Sequence, residues 1–461
     1  MVKWKKSFNV KEFFGTPTFW MITTGAWAFN FKKYLPNFLH FSAPTLENLF
    51  RIFVAAVLIH IEFVLAVTAY QVNEKEGAFA AFMFIFNILI YLWVCIVNTF
   101  YATQIENIKS FFPFVNKGFR QRSAPGLTYV TVEPGFKSSV RFQNKWTWAC
   151  TLTGSSYALI PLMNGSFQLP IPTWYPIDLT VGHRFLVVFL IQTFAQMWLG
   201  MIFGNAMGYV FYVYSLFISQ LDILCASVKN IPYTALIKAG IDKRLLKKLQ
   251  EEYKNTPQEL NQFSDSNDIE LFEDLDDLEL KTDPLKTFKD FQLTPDLFKD
   301  PKVVKCLKEA IQDCVDHHTM LLDLLKKYEK QISFFMLLKL GDINLLLTII
   351  LFAFTISKDS AARLVLGAYL TIPFSELLIL SYVGQVLTLQ SSRIIDAVIN
   401  SPWHLYMVPV KKELSIMLAR GAKPYVLTAG RLLNISTGTF IAVVRTSFSY
   451  YTLLVQLNKR S

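Results

Sequence analysis

Residues 185–220 read FLVVFLIQTFAQMWLGMIFGNAMGYVFYVYSLFISQ, and none of these 36 side chains carries a charge. A helix needs about 20 apolar residues to cross the hydrocarbon layer of a bilayer. The stretch therefore predicts a membrane-spanning helix that projects well beyond the bilayer. The whole chain agrees, because 52% of its 461 residues are hydrophobic and only 17% are charged, whereas soluble domains average about 25% charged residues.

Further stretches have the length and the apolar character of membrane spans. They are residues 52–73, 80–102, 146–163, 332–357, 364–392 and 424–457. The stretch 146–163 is rich in Thr and Ser, and Lys339 and Asp342 stand near the start of the stretch 332–357. The predicted fold is an all-α membrane protein with seven transmembrane helices.

The loops between these spans alternate in charge. Lys and Arg are concentrated before the first span and after the second, fourth and sixth spans, while residues 164–183 contain neither. By the positive-inside rule the N-terminus is cytoplasmic and the C-terminus is extracellular. The sequon Asn164-Gly165-Ser166 then lies outside, so Asn164 is the predicted glycosylation site. A cytoplasmic N-terminus disfavours a G-protein-coupled receptor, whose N-terminus is external.

We divide the chain into three regions. Residues 1–220 hold the N-terminal segment and the first four spans. Residues 221–331 form a cytoplasmic loop with an acidic linker and an anchor helix, that is, a helix that packs against neighbouring cytoplasmic helix ends. Residues 332–461 hold spans five to seven, with a cytoplasmic anchor and a pore helix. Nine Asp or Glu and no Lys or Arg occur within residues 255–280, which predicts a solvated acidic linker. After Pro301, apolar residues recur every three or four positions, which predicts a helix that continues into the fifth span.

No group of residues in the sequence predicts an active site. His318 and Asp323 are spaced as in membrane acyltransferases, but five positions on a helix turn through about 500°, so the two side chains point about 140° apart. The five cysteines lack the spacing of metal ligands. We therefore expect no enzyme, no catalytic residues, no metal and no cofactor. A transporter is also disfavoured, because the sequence lacks internal repeats with broken helices at matched positions.

The last span mixes small, hydroxylated and large apolar residues. On a helix, Ser449, Leu453, Gln456 and Leu457 share one face near the predicted outer end. In an assembly of several subunits, a ring of Leu453 would form a gate that opens by wetting, and Gln456 amides would contact a partly hydrated cation. Spacing alone also allows ordinary helix packing, with Gln456 bonded to a neighbouring helix.

Several motifs resemble those of insect odorant receptors, of the odour-tuned type rather than the shared co-receptor. The segment KPYVLTAG at 423–430, followed by RTSFSYYTLL at 445–454, is similar to the C-terminal signature of that family. Residues 382–385, 397–403 and 169–176 resemble its sixth span, the cytoplasmic end of that span and its second extracellular loop. Gustatory receptors end in a related string, from which this sequence departs at Ser449 and Leu457. This departure favours odorant over gustatory membership.

The resemblance implies a tetrameric, odorant-gated, nonselective cation channel in the plasma membrane of sensory neurons. Its partners would be small volatile odorants, permeating monovalent and divalent cations, the lipid bilayer and either identical subunits or a co-receptor, but no nucleic acid. A ligand-gated cation channel of the gustatory type is the alternative. The resemblance also implies that the seventh span of each subunit lines one central pore and that a ligand pocket lies in the outer half of spans two, three, four and six.

That pocket position and the predicted topology select a set of apolar and aromatic residues with a few hydroxyl groups. Such a set suits a small volatile that is held by dispersion. The candidates are Phe84, Ile88, Tyr91, Leu92, Thr151, Gly154, Ser155, Ala158, Met207, Phe374 and Leu378. An intramembrane carboxylate is costly when it stands alone, so Glu376 is either a polar wall of the pocket or one member of a buried pair.

Overall fold

The computed structural model describes residues 15–26, 43–72, 77–126, 130–163, 168–179, 182–240, 294–357 and 360–460. The helices are α1 (Gly15–Thr23), α2 (Ala43–Val72), α3 (Gly77–Gly118), α4 (Glu133–Met163), α5 (Gly182–Lys229), α6 (Ile231–Ala239), α7 (Pro301–Ile356), α8 (Ser360–Ile399), α9 (Trp403–Tyr406), α10 (Lys411–Gly421) and α11 (Thr437–Arg460). Short 3-10 helices lie at Pro295–Lys299 and Val408–Val410, and two strands, β1 (Thr428–Ala429) and β2 (Leu433–Asn434), form a hairpin. The predicted acidic linker at 255–280 and the predicted glycosylation site Asn164 lie outside the described residues.

Seven of these helices occupy the positions of the predicted spans, which confirms the all-α membrane fold. Within the described residues, α2, α3, α5, α7, α8 and α11 are long and apolar enough to cross a membrane. Helix α4 is more polar, but its hydroxyl groups donate to carbonyls of their own helix. The Oγ–O distance is 2.7 Å from Thr151 to Thr147 and 2.8 Å from Ser155 to Thr151. Polar groups that are satisfied within one helix cost less in hydrocarbon.

Helices α5 and α7 extend far beyond the thickness of a bilayer. They contain 48 and 56 residues, which correspond to about 72 and 84 Å at the helical rise per residue, against about 30 Å of hydrocarbon. Helix α7 begins at Pro301 after an Asp300 cap, whose carboxylate accepts from the Lys302 amide at 2.7 Å. The prediction of one helix from Pro301 into the fifth span is thus confirmed.

A row of glycines on α5 lets α4 approach closely. Gly200, Gly204 and Gly208 recur every four residues and therefore lie on one helix face. A Cβ atom on Gly204 would lie 2.8 Å from Thr147 Cα, and one on Gly200 would lie 2.5 Å from the Cys150 carbonyl oxygen. Side chains larger than hydrogen at these positions would push the two helices apart, as is common for small residues in membrane helix contacts.

The seventh span begins later than the sequence predicted. Instead of helix from residue 424, the chain forms the β1–β2 hairpin, and α11 begins at Thr437. The hairpin turn contains Gly430 and Arg431, whose φ angles of 61° and 59° are both left-handed. A right-handed helix cannot pass through two consecutive residues in that conformation. The prediction of helix over 424–436 was therefore wrong.

Glu329 of α7 holds the segment that leads to α11. Its Oε1 accepts from the Thr428 amide at 3.0 Å and from the Thr428 hydroxyl, and its Oε2 accepts from the Tyr425 hydroxyl. Burial and the adjacent Glu329 carboxylate raise the pKa of Tyr425, so the phenol keeps its proton and remains a donor. One turn further along α7, the Ser333 carbonyl accepts from the Gly430 amide at 2.8 Å. The hairpin is thus fixed to α7 before α11 begins.

Candidate functional site

A cavity of about 40 Å³ lies between α3, α4, α5, α7 and α8. Its wall is almost entirely carbon and is formed by Ile90, Cys150, Gly154, Leu199, Gly200, Phe203, Leu346, Ile350, Tyr369, Ile372 and Pro373. Such a wall attracts an apolar ligand through dispersion. The space is smaller than the roughly 150 Å³ cavity that accommodates benzene in another protein. A ligand of that size or larger therefore requires lining side chains to move.

Gly154 is the predicted pocket residue that lines this cavity. Phe84, Tyr91, Thr151 and Met207 are also buried in the helix bundle but stand outside the lining. Ile88 and Ser155 are half-buried on α3 and α4. These six residues of the predicted set are thus buried or half-buried without lining the cavity. The side chain of Ala158 is not among those that the structure describes.

Tyr91 differs from the expectation in the direction of its side chain. It is fully buried, and its hydroxyl has no hydrogen-bond partner within the described part of the chain. The preceding residue, Ile90, lines the cavity in its place. Consecutive residues on a helix are rotated by about 100°, so Ile90 and Tyr91 face different parts of the bundle.

Three other predicted pocket residues face away from the bundle. Leu92, Phe374 and Leu378 are exposed on the outer faces of α3 and α8. The Phe374 ring packs edge-on against Phe440 near the start of α11, with 5.5 Å between ring centroids. On α8 the cavity is lined instead by residues just before Phe374, namely Ile372 and Pro373. We therefore leave these three residues out of the proposed pocket.

Sequence reasoning missed the contribution of α7. Leu346 and Ile350 line the cavity one turn apart, whereas the predicted pocket drew on spans two, three, four and six alone. A signal was present, because the buried apolar face that includes Leu325 continues along α7 with helical spacing. The four-residue spacing of Gly200 and Gly204 also pointed to the α4–α5 contact beside the cavity.

A buried ion cluster borders the cavity. Lys339 Nζ of α7 lies 2.9 Å from Glu376 Oε2 of α8 and 3.2 Å from Asp342 Oδ2. The exposed fractions of the three side chains are 2%, 0% and 8%. The same Nζ lies 3.7 Å from the ring centroid of Phe203, which is part of the cavity wall. Of the two alternatives for Glu376, the structure shows a buried pair, in which opposite charges offset part of the cost of desolvation.

The predicted pore residues lie on a free face of α11 within the single subunit. Ser449, Leu453, Gln456 and Leu457 are all exposed, while Ser447 on the opposite side of the helix is buried against α7. In the apolar section of α11 only 6% of the residues are buried, against 56% in that of α7. The helix therefore has one side fixed to α7 and a large uncovered surface.

His318 and Asp323 do not meet, in agreement with the helix geometry. The His318 side chain is buried, whereas the Asp323 side chain is 70% exposed and lies 4.0 Å from Lys326 Nζ. The pair therefore has no geometry for base catalysis.

The chain is similar to known receptors over most of its length. Residues 136–448 match the profile of a family described as 7tm Odorant receptor. Odorant receptor 83a of Drosophila melanogaster is 26% identical over 420 residues, which cover 90% of this chain and 87% of that protein. Putative odorant receptor 85e of Drosophila melanogaster is 26% identical over 373 residues, which cover 80% of this chain and 76% of that protein.

Solved structures of the insect olfactory receptor OR5 from Machilis hrabei share the fold. One superposes with a TM-score of 0.63 at 11% identity and covers 97% of this chain and 98% of the receptor chain. The structure of the same receptor in complex with eugenol gives a TM-score of 0.59 at 11% identity, with the same coverage. The shared architecture thus extends over nearly the whole of both chains.

Proposed function

The chain belongs to the 7tm odorant receptor family, and from this membership we propose that it is a subunit of an odorant-gated, nonselective cation channel. It is a multi-pass membrane receptor rather than an enzyme. In the proposed mechanism, a small volatile molecule binds inside the helix bundle of each subunit and opens a central pore that is lined by α11.

The exposure of α11 is the observation that supports this proposal most strongly. Its uncovered face carries polar side chains, such as Ser449 and Gln456, beside Leu453 and Leu457. The Ser449 hydroxyl donates to the Arg445 carbonyl of its own helix at 3.0 Å, so the relevant polar group is the Gln456 amide. A side-chain amide that faces lipid is unfavourable, whereas a water-filled path satisfies it. Four copies of the subunit around one axis would cover α11 with its counterparts and enclose this face. A ring of Leu453 side chains would then close the path by excluding water from it.

The remaining parts of the proposal concern orientation and assembly. The N-terminus is cytoplasmic and the C-terminus is extracellular, in the plasma membrane of a sensory neuron. The subunits assemble as a homotetramer or as a heterotetramer with a co-receptor, and the pore passes monovalent and divalent cations. The cytoplasmic part of α7 and residues 401–426 form the anchor between subunits.

The apolar cavity is the proposed odorant site. Its wall offers dispersion contacts, which are weakly directional and suit volatile molecules. The binding of eugenol by the structurally similar OR5 supports a volatile of this kind as the ligand class. Gly154 of the proposed site comes from the sequence prediction, whereas Ile90, Phe203, Leu346 and Ile350 come from the structure. The predicted residues that are buried or half-buried but absent from this wall become contacts only if the cavity enlarges on binding. They are Phe84, Ile88, Tyr91, Thr151, Ser155 and Met207.

Helix α7 supplies a path from the cavity to the pore. Leu346 and Ile350 form part of the cavity wall, and the Asn344 side chain of the same helix accepts a hydrogen bond from Ser447 of α11. A ligand that binds more tightly to the open arrangement shifts the population toward it. Displacement of α7 by the ligand would thereby change the position of α11.

Voltage-clamped cells that express the chain, with and without a co-receptor, test the proposal with a panel of volatiles and tastants. We expect cation currents in response to volatiles. Leu346→Trp fills the cavity and should abolish them, whereas Leu345→Trp, at the exposed neighbouring position, should leave them intact. Surface labelling establishes that both variants reach the membrane. Responses to tastants alone, or equal effects of both substitutions, would contradict the proposal.

A further inference from the structure

Lys339 brings a charged donor to the edge of an otherwise apolar cavity. An ammonium group has three N–H donors. Two carboxylates, those of Glu376 at 2.9 Å and Asp342 at 3.2 Å, lie around Lys339 Nζ. The ring of Phe203 lies on a further side, with its centroid 3.7 Å from Nζ. The Trp93 ring lies further away, with its centroid 5.4 Å from Nζ. Among the described residues, the third donor is thus matched with aromatic faces rather than with an oxygen.

Phe203 separates this ammonium group from the cavity. Its side chain belongs to the cavity wall and also packs on Nζ. Cys150 and Gly154 of α4 also line the cavity. Because the cavity of about 40 Å³ is too small for a ring-sized ligand, at least one wall side chain must move. Rotation of the Phe203 side chain would enlarge the cavity and connect it to the ammonium group in one step.

We infer that ligand binding displaces the Phe203 ring and that an acceptor oxygen of the ligand replaces it as the third partner of Lys339. The site then selects volatile ketones, aldehydes and esters over hydrocarbons of the same shape. This inference rests on the proposed function of the cavity as the odorant site. It adds a specificity determinant, Lys339, on a helix that the predicted pocket did not include.

Physical considerations favour this exchange of partners. A hydrogen bond between an ammonium group and an oxygen is about twice as strong as one between neutral groups. A ligand carbonyl that enters an apolar cavity without a donor loses its bonds to water and gains none in return. Glu376 and Asp342 hold the ammonium group in place while Phe203 moves. The ligand therefore meets a donor that is already oriented.

Matched ligand pairs provide the test. Acetophenone and α-methylstyrene have the same shape and differ by an oxygen in place of a methylene group, as do cyclohexanone and methylenecyclohexane. Calorimetry with the purified full-length chain in lipid nanodiscs measures the affinity for each compound. We expect the ketone to bind more tightly than its hydrocarbon partner by about tenfold or more, the range that a hydrogen bond to a charged group supplies.

Two variants assign the preference to Lys339. The combined substitution Lys339→Met, Asp342→Asn and Glu376→Gln removes the charges together, and it should abolish the ketone preference while hydrocarbon binding persists. Phe203→Leu keeps the ion cluster but removes the ring, and it should strengthen the ketone preference at least threefold. Lys327→Met is the matched control, because Lys327 Nζ lies 3.3 Å from the Phe114 ring centroid far from the cavity, and it should change neither affinity.

Equal affinities within both pairs in the wild-type protein, or no binding of either ketone, would overturn the inference. An unchanged ketone preference in Phe203→Leu would also overturn it. Because this variant leaves the charges intact, it still provides a test if the combined substitution fails to fold. Hydrocarbons and ketones that bind equally and still open the channel would refute Lys339 as a determinant but leave the proposed function standing. A preference for ketones without any gated current would support Lys339 as a determinant of binding but contradict the proposed channel function.

Discussion

Ser447 of α11 donates a hydrogen bond to the side chain of Asn344 on α7, with 2.6 Å between Ser447 Oγ and Asn344 Oδ1. Ser447 is buried at this contact, and Asn344 stands two residues before Leu346 in the cavity wall. This hydrogen bond joins the helix that borders the proposed odorant site to the helix proposed to line the pore. Weaker bonds join the same helices, from the Thr348 hydroxyl to the Ser447 carbonyl at 3.4 Å and from the Thr355 hydroxyl to the Tyr451 hydroxyl at 3.2 Å. The energy of the Ser447–Asn344 bond enters the gating equilibrium if the two helices separate or slide when the channel opens.

The first prediction concerns this bond. Asn344→Ala and Ser447→Ala should each change the odorant concentration for half-maximal current, and the double substitution should change it by less than the sum. Hydrogen bonds between membrane helices have coupling energies of about 0.6 to 2 kcal/mol, so we expect a coupling of that size in a double-mutant cycle. Additive effects of the two substitutions would show that the bond does not change during gating.

The second prediction concerns the proposed gate. Leu453→Ser should raise the resting current, because a ring of hydroxyl groups wets more easily than a ring of Leu side chains. Ile441→Ser is the matched control, since Ile441 is 54% exposed and Leu453 is 53% exposed on the same helix but on a different face. Current without odorant is the quantity to measure. An equal rise in both variants would refute Leu453 as the gate.

The third prediction concerns the contact of α4 with α5. Gly204→Ala places a Cβ atom 2.8 Å from Thr147 Cα and 2.9 Å from Cys150 Cβ, so the helices must separate, at a cost of about 1 to 3 kcal/mol. Gly341→Ala meets nothing within 4 Å and should stabilise α7 by about 0.5 to 1 kcal/mol through helix propensity. Thermal unfolding of the purified variants measures both effects. A Gly204→Ala protein as stable as the wild type would contradict the close contact.

Hydrophobic runs were sufficient to predict the helices, but the cavity depended on how their faces meet. Lys339, Asp342 and Glu376 each stood out in the sequence as charges within apolar stretches. Their spacing, however, could not reveal that Lys339 of α7 bonds across to Glu376 of α8, because that distance depends on the packing of two helices. The face of α8 that lines the cavity also depends on helix packing. Pro373 lines the cavity, whereas the predicted residue Phe374, one position further along, is exposed.

Local conformation explains the other difference from the sequence prediction. The apolar character of residues 424–457 suggested one continuous span, and hydropathy alone carries no information on backbone handedness. Gly430 allows a left-handed conformation at no steric cost, but Arg431 adopts it as well. Hydrogen bonds from the hairpin to Glu329 and Ser333 of α7 stabilise this turn. Such support from a distant segment is invisible in the sequence of the turn itself.

The fourth prediction concerns Glu329. Glu329→Ala removes the acceptors of the Tyr425 hydroxyl and of the Thr428 amide and hydroxyl, and hydrogen bonds to a charged group contribute about 1.5 to 3 kcal/mol each. We expect a lower unfolding temperature and faster hydrogen exchange in residues 425–434. Glu309→Ala, at an exposed position of α7, should change neither. Unchanged exchange in the hairpin would show that Glu329 does not hold it.

Helix α11 is proposed to line a pore that a volatile opens. A positively charged thiol reagent, applied to the Leu453→Cys variant during the odorant-evoked current, shows whether this position faces the ion path. We expect the reagent to reduce the evoked current in this variant and to leave the wild-type current unchanged, although the wild type has free cysteines such as Cys95 and Cys306. An evoked current that persists unchanged after complete labelling of the introduced thiol would contradict the proposal.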